Sequence, residues 1–341
     1  MQVVACHDPT VWDAFVGAHS PHLYFRWKWR ELTEDVFGHE HCYLTAVDAG
    51  GQIRGALPLV RLESRLFGRF ALSLPFVSYG GILADSLEAR AALRSACEHF
   101  LHEAKLSHVL LREPCESLMP SWTCEQHKVV MRLDLPAEAD ELWSAIGSKR
   151  RAQVKRPGKE GAFVKTGHVD LLDDFYRVFA RNMRDLGTPV QSKLFFRRIL
   201  EAFPEDTHVV VTYLQDAPVA AAFLIRHGEE MEIPWASSLR EANRFGVNML
   251  LYWEVLKFSI VRGANRFDFG RSSKDSNTLR FKRQWGAVPE QLYWYTHTPG
   301  GEAAPSLSPE NSKFAAAIAV WQRLPVPLAN LLGPRVVKFL P

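Results

Sequence analysis

Residues 267–287, FDFGRSSKDSNTLRFKRQWGA, hold the chain's densest set of groups able to do chemistry. The pattern predicts a strand ending at Gly270, a polar loop with Arg271, Ser272, Ser273 and Lys274, and a short helix carrying Arg280, Lys282 and Arg283. Loops at strand ends are where binding and catalytic groups usually sit. Acyl transfer to an amine has three requirements: the amine must lose its proton, the tetrahedral oxyanion must be stabilised, and the donor must be held. Lys282 or Arg271 would bring positive charge to the oxyanion. Asp268 would orient a base or an ammonium group, or would hold the loop. The same residues also fit a plain strand-to-helix turn with surface charges, and composition alone favours that reading.

Arg244-Phe245-Gly246-Val247-Asn248 opens a predicted helix, and helix N-termini bind phosphate through their N–H groups and dipole. Compared with the pyrophosphate loop of GNAT acyltransferases, Asn243 stands in the first place, Gly246 fits, and Asn248 replaces the last small residue. That assigns donor binding to Arg244, Gly246 and Asn248; a plain helix-start glycine explains the pattern equally well. Glu254 falls in one helical stripe with Val247, Leu251, Phe258 and Val261. A carboxylate in an apolar stripe is paired, raised in pKa, or facing a cleft, which makes it a candidate catalytic group. His39-Glu40-His41-Cys42 looks like a ligand set, but neighbouring strand residues point to opposite faces and no second cluster completes four ligands, so no metal is expected. No nucleophile elbow, Walker loop or dinucleotide fingerprint occurs.

The elements that must position these residues read as a pattern repeat. HCYLTAVD, QIRGALPLVRLES and RFALSLPFV, then a helix over 87–104 and the strand HVLLRE, match in order THVVVTYL, VAAAFLIRH and EMEIPWAS, then a helix over 247–261 and the strand RFDFG. Each half is a meander, a helix, and a strand that inserts beside the meander. That order suits a mixed sheet packed by helices and is the order of the GNAT core. The expected fold is therefore α/β, two tandem GNAT-like subdomains, each a mixed and mostly antiparallel sheet. The expected bounds are 1–140, 141–297 with the main motif, and a tail of 298–341. Between the halves, LWSAIGSKRRAQVKRPGKEG carries Lys149, Arg150, Arg151, Lys155, Arg156 and Lys159, with Pro157-Gly158 expected to end the helix. This is a solvated amphipathic helix or a surface for phosphates on a donor or acceptor. Further helices are expected over 171–186 and 193–203. The tail is apolar and helical but cut by Pro325, Pro327 and Pro334; it packs on the core or lies on a membrane surface.

The 341 residues suffice for two ordinary domains, and 47% hydrophobic with 23% charged residues is a globular composition. A net charge of +3 argues against wholesale nucleic-acid binding. The five cysteines are scattered without a CxxC, which fits a reducing compartment. No signal-peptide pattern opens the sequence, and no apolar run reaches the roughly 18–20 residues of a membrane span.

DFGRSS followed by LRFKRQWGA resembles the signature of FemAB-type transferases, in particular the branch associated with exosortase/PEP-CTERM systems. PFVSYGGILA is similar to that branch's first-domain loop, SKRRAQVKRPGKEG to its interdomain helix, and VWQRLPVPLANLLGPRVVKFLP to its C-terminal end. The resemblance runs along nearly the whole chain. It implies two GNAT-like subdomains forming one transferase, with Lys282 assisting the transition state. It further implies substrate contacts from Phe281, Trp285 and Tyr79, Arg184 near acceptor phosphates, and a C-terminal segment packing back on the first subdomain. Asn277 and Leu279 depart from the branch's Gly and Tyr before Arg-Phe-Lys. Residues 246–263 hold one helix, leaving no room for the coiled-coil arm of some peptidoglycan-building members.

The expected activity is N-acyl transfer to an amine on a cell-envelope or exopolysaccharide precursor. The acceptor is then a small molecule or a lipid-linked saccharide or peptide. No cofactor is tightly bound; acyl-CoA or aminoacyl-tRNA serves as co-substrate. One alternative is aminoacyl transfer from tRNA, with residues 149–159 binding RNA. Another is a non-catalytic protein that binds an envelope precursor or, through its tail, a membrane partner. The expected location is the cytoplasm, including the inner face of the membrane.

Overall fold

The structure, a computed structural model, describes residues 1–64, 67–117, 119–301 and 314–340. Its elements are β1 (Gln2–Ala5), α1 (Pro9–His19), α2 (Trp27–Phe37), β2 (Glu40–Val47), β3 (Ile53–Ser64), β4 (Gly68–Leu72), β5 (Leu83–Ala84), α3 (Leu87–Glu103), β6 (Val109–Glu113), β7 (Thr123–Glu125) and β8 (Lys128–Asp134). There follow α4 (Ala139–Ala145), α5 (Gly147–Lys159), β9 (Ala162–Gly167), α6 (Leu172–Leu186), α7 (Lys193–Ala202), β10 (Thr207–Leu214), β11 (Ala217–His227) and β12 (Glu230–Ser238). The chain ends with α8 (Val247–Val261), β13 (Arg266–Ser273), α9 (Asn277–Arg283), β14 (Val288–Gln291), β15 (Tyr293–His297), α10 (Ala315–Trp321) and α11 (Val326–Val337).

Two compact units result. One comprises Met1–Val129, the segment from Gln291 and the residues from Phe339; the other comprises Val130–Glu290 and the segment ending at Lys338. Each carries its own mixed sheet. The strand orders are β1-β2-β3-β4-β6-β15-β7, with β5 beside β3, and β14-β8-β13-β12-β11-β10-β9. In the first, β2, β3 and β4 pair antiparallel and β6 joins β4 in parallel after α3. In the second, β10, β11 and β12 pair antiparallel and β13 joins β12 in parallel after α8. The pattern repeat of the sequence is thus a repeat of topology. The parallel step requires a crossover, which α3 and α8 supply.

The division falls at Val129/Val130, not at 140, because β8 belongs to the second sheet; and β15, expected in the second subdomain, pairs with β6 and β7 in the first. The tail is a further correction. α11 packs on α6 and buries Ala329, Gly333 and Val337, and a Cβ on Gly333 would come within 2.9 Å of the Val190 backbone. These helices therefore belong to the second unit, whereas the start of the tail, from Thr298, and its end, where Phe339 lies near His39, belong to the first.

The second unit is built on a strand buried on both faces. Val219–Ile225 of β11 are all under 9% exposed, as expected of a sheet covered on both sides. Phe223 meets Phe175 of α6 and Phe196 of α7, and Trp235 of β12 completes the aromatic cluster. His208, which pairs with Leu224, instead meets Phe258 of α8. Alternation along the strands therefore puts α6 and α7 on one face and α8 on the other. The β10–β11 hairpin turns at Gln215 and Asp216, both with positive φ (52° and 62°), the geometry that matches strand twist.

Candidate active site

Two local features in the second unit shape the site. The first is the parting of β12 and β13. Their parallel register runs Glu230↔Arg266, Met231↔Phe267 and Glu232↔Asp268, after which β12 continues to Ser238 and β13 to Ser273. The second is Gly270, expected as the strand's end and found inside it. Its φ of +74° is open to glycine at little cost, and its N–H is donated to Asp268 Oδ1 at 2.6 Å. The backbone bend brings the carbonyls of Gly270 and Arg271 to a common donor.

That donor is Lys282. Ser276 caps α9 by accepting from the Leu279 N–H at 3.1 Å, and Leu279 and Lys282, three residues apart, are the helix's two buried side chains. Lys282 Nζ donates to the Gly270 and Arg271 carbonyls, each at 2.9 Å, and the side chain is 3% exposed. An ammonium has three N–H groups, so these bonds fix its position with one donor left to aim. Burial pulls the Lys282 pKa down to about 8; Asp268 and Glu232 oppose that and Arg271 adds to it. The group is thus cationic near neutrality yet loses its proton far more readily than a surface lysine.

Around it lies a buried charge network. Asp268 is fully buried, with Arg132 Nε at 3.6 Å from it and 3.0 Å from Glu230. Arg132 and Arg266 both also engage Glu290. Burial, followed by repulsion from Asp268, raises Glu230 to about 7. Glu232 lies 2.9 Å from His227 Nε2, both out of solvent, and burial keeps the imidazole neutral with a pKa of about 3. A neutral imidazole binds a carboxylate oxygen only through its N–H. None of Arg132, Glu230, Glu232, His227 or Glu290 stood out in the sequence. The available signal was Glu230 and Glu232 at spacing two on an otherwise apolar strand, which puts both on one face.

The remaining candidates are dispersed. Phe281 rests edge-on against Tyr252 (4.9 Å), and Trp285, 2% exposed, lines a cavity of ≈ 620 Å³ with Leu142, Ile146, Arg150 and Arg283. Gly246 takes φ +81° at the head of α8 without a side-chain cap, and Arg244 is exposed with its guanidinium over the Phe245 ring. Asn248 is half-buried in the first turn of α8. The stripe expected through Glu254 is a correction: Val261 is 74% exposed while α8 is buried on several other sides. Glu254 itself borders a ≈ 410 Å³ cavity walled by Trp143, Trp253 and Phe163, with Lys257 at 3.9 Å, so it faces a cleft, one of the expected alternatives. The helix fails as an amphipathic stripe because sheet and α5 cover it from two sides.

Arg184 is a second correction. It binds Asp185 at 2.7 Å and the Leu324 carbonyl at 2.8 Å, so its guanidinium ties down the tail. Tyr79 lies in the first unit, 1% exposed and stacked on His22. The strand expected through Val77 stops at Leu72, because Leu74 and Phe76 take positive φ. Pro157 does not stop α5, which runs to Lys159; proline sits in the last turn, where only one helical bond is lost. His41, one of the suspected ligands, uses its ring nitrogens on Thr33 and the His39 carbonyl.

Comparison with known proteins agrees with a fold of two tandem mixed sheets. Residues 148–283, from α5 to the end of α9, match the family model described as acetyltransferase (GNAT) domain. No curated protein matches the sequence. Among solved structures, the chain is similar to FemX (16% identity, TM-score 0.63, covering 87% of this chain and 97% of that one). It is also similar to L-PGS from Bacillus licheniformis (11%, 0.55, 97% of both chains) and to a tandem GNAT protein from the clavulanic acid biosynthesis pathway (9%, 0.56, 89% and 99%). The fold is therefore of tandem GNAT-like architecture, and its second unit carries the match to the acetyltransferase (GNAT) domain.

Proposed function

We propose that this protein transfers an acyl group from an acyl-CoA donor to a primary amine on a cell-envelope or exopolysaccharide precursor, with Lys282 stabilising the oxyanion. The observation that carries this reading is the buried Lys282 ammonium, held by two carbonyls where β12 and β13 part. The neutral amine attacks the thioester carbonyl. The carbonyl oxygen gains charge facing the third N–H of Lys282, and the thiol leaves as the new amide nitrogen loses its proton. A donor held in advance in a dry site costs no reorganisation at that moment. Asp268 fixes Gly270, and with it the two carbonyls, so it acts by positioning. The head of α8 at Gly246 suits the donor's phosphates through its N–H groups and dipole. The envelope acceptor rests on the resemblance of DFGRSS and LRFKRQWGA to the exosortase-associated FemAB branch.

α5 favours a second donor: from Gly147 to Lys159 it has six basic residues and no acidic one, as a tRNA surface requires. Thermal melting with acetyl-CoA, longer acyl-CoAs and an aminoacyl-tRNA mixture separates the two. A rise with acyl-CoA supports the first reading, since a ligand that binds the folded state raises Tm; a rise with aminoacyl-tRNA alone overturns it. With the donor found, Lys282→Ala should lower kcat by about 10²–10³, and full activity in that variant would remove Lys282 from the mechanism.

A further inference from the structure

We infer that α10, α11 and the turn between them form a docking face for an anionic membrane surface. The inference is independent of the acyl-transfer reading. α10 reads AAAIAVW, without a polar side chain, and none of its residues is buried. Val320 is 60% exposed. α11 uses Ala329, Gly333 and Val337, spaced by four, against the second unit. At about 100° per residue, Leu328, Leu331 and Arg335 fall on the opposite side, and there Leu328 is 40% and Leu331 59% exposed.

A helix face turned to water in a globular protein is normally polar. Here the outward face is leucine and arginine. Gly187 touches Ile318 of α10, and its neighbour Leu186 adds a further exposed apolar side chain at 52%. Contiguous apolar exposure of this kind marks an interaction surface.

Charge decides the partner. Between Phe314 and Leu340 the chain carries Arg323, Arg335 and Lys338 and no Asp or Glu. A second copy seated on this face by a two-fold axis would oppose arginine to arginine. An anionic bilayer meets both needs: acyl chains take Val320, Leu328 and Leu331, and headgroup phosphates take the cations. Neither helix is long and apolar enough to cross a membrane, so the contact is peripheral. Arg184 holds the segment at the Leu324 carbonyl, which fixes the face on a folded platform.

The test is sedimentation of the full chain with sucrose-loaded vesicles of phosphatidylcholine alone and of phosphatidylcholine mixed with phosphatidylglycerol. Binding to the mixed vesicles, weakened by salt, is expected. Leu328→Glu with Leu331→Glu should lower the partition coefficient about tenfold or more, and Arg323→Glu or Arg335→Glu about fivefold each. These positions are exposed, so Tm should stay at the wild-type value. Three results overturn the proposal: no binding to mixed vesicles at low salt, binding unchanged in all these variants, or a dimer in solution that Leu328→Glu with Leu331→Glu dissociates.

Discussion

In the proposed mechanism Lys282 must meet two demands that ordinarily conflict. Burial favours its neutral form, yet oxyanion stabilisation needs its charge. Burial pulls the pKa down, Asp268 and Glu232 oppose it, and the balance lies at about 8, while the two carbonyls hold the group in place. The sign of the pH response follows: the charge is present below about 8 and lost above it. Acyl transfer should rise with pH as the acceptor amine deprotonates, then fall through about 8. A kcat–pH profile on the identified acceptor checks this. In Lys282→Arg, which cannot lose its proton, any residual activity should lack the descending limb. A wild-type profile that keeps climbing to pH 10 would mean the lysine's charge is not needed.

Among the elements, β13 shows how a local irregularity creates a site. A regular strand would pair its Gly270 and Arg271 carbonyls laterally; the bend at Gly270 turns them to α9. An alanine there must adopt φ near +74°, and its Cβ would sit 3.4 Å from the Ile233 carbonyl. Gly270→Ala should destabilise the protein by about 1–2 kcal/mol and lower kcat while leaving donor affinity nearly unchanged. Denaturant unfolding and donor titration measure the two effects separately. Equal loss of donor binding and turnover would point to general distortion instead. α8 teaches the converse: a helix covered on two sides loses the single apolar stripe, so the position of Glu254 in that stripe carried no information about burial.

Across the whole molecule, the second unit buries several like charges around Arg132, and this links stability to pH. Glu230 titrates near 7 in the folded chain against 4.5 when free. The folded state therefore binds its proton more tightly, and the stabilisation is full below about 4.5 and lost as pH rises through 7. Glu230→Gln removes this dependence. The Tm of the variant relative to wild type should climb between pH 4.5 and 7 and level off above. A difference that stays flat would place the Glu230 carboxylate at its ordinary pKa. The same unit carries the tail, whose inward face is set by Gly333 against Val190 and whose outward face is left apolar and cationic.

The sequence by itself determined the repeated order of strands and helices in the two halves, the bounds of α8, and the motif that holds Lys282. These are local matters: apolar period, β-branched runs, glycine and proline, and Ser276 before a short helix. Only the tertiary structure decided which sheet received β8 and β15, because strand pairing is chosen by partners distant in sequence. It also decided that Arg184 ties the tail and that Arg132, Glu230, Glu232 and His227 meet near Lys282. Charged residues look solvated in a sequence; their burial becomes visible only when the strands that carry them are placed side by side.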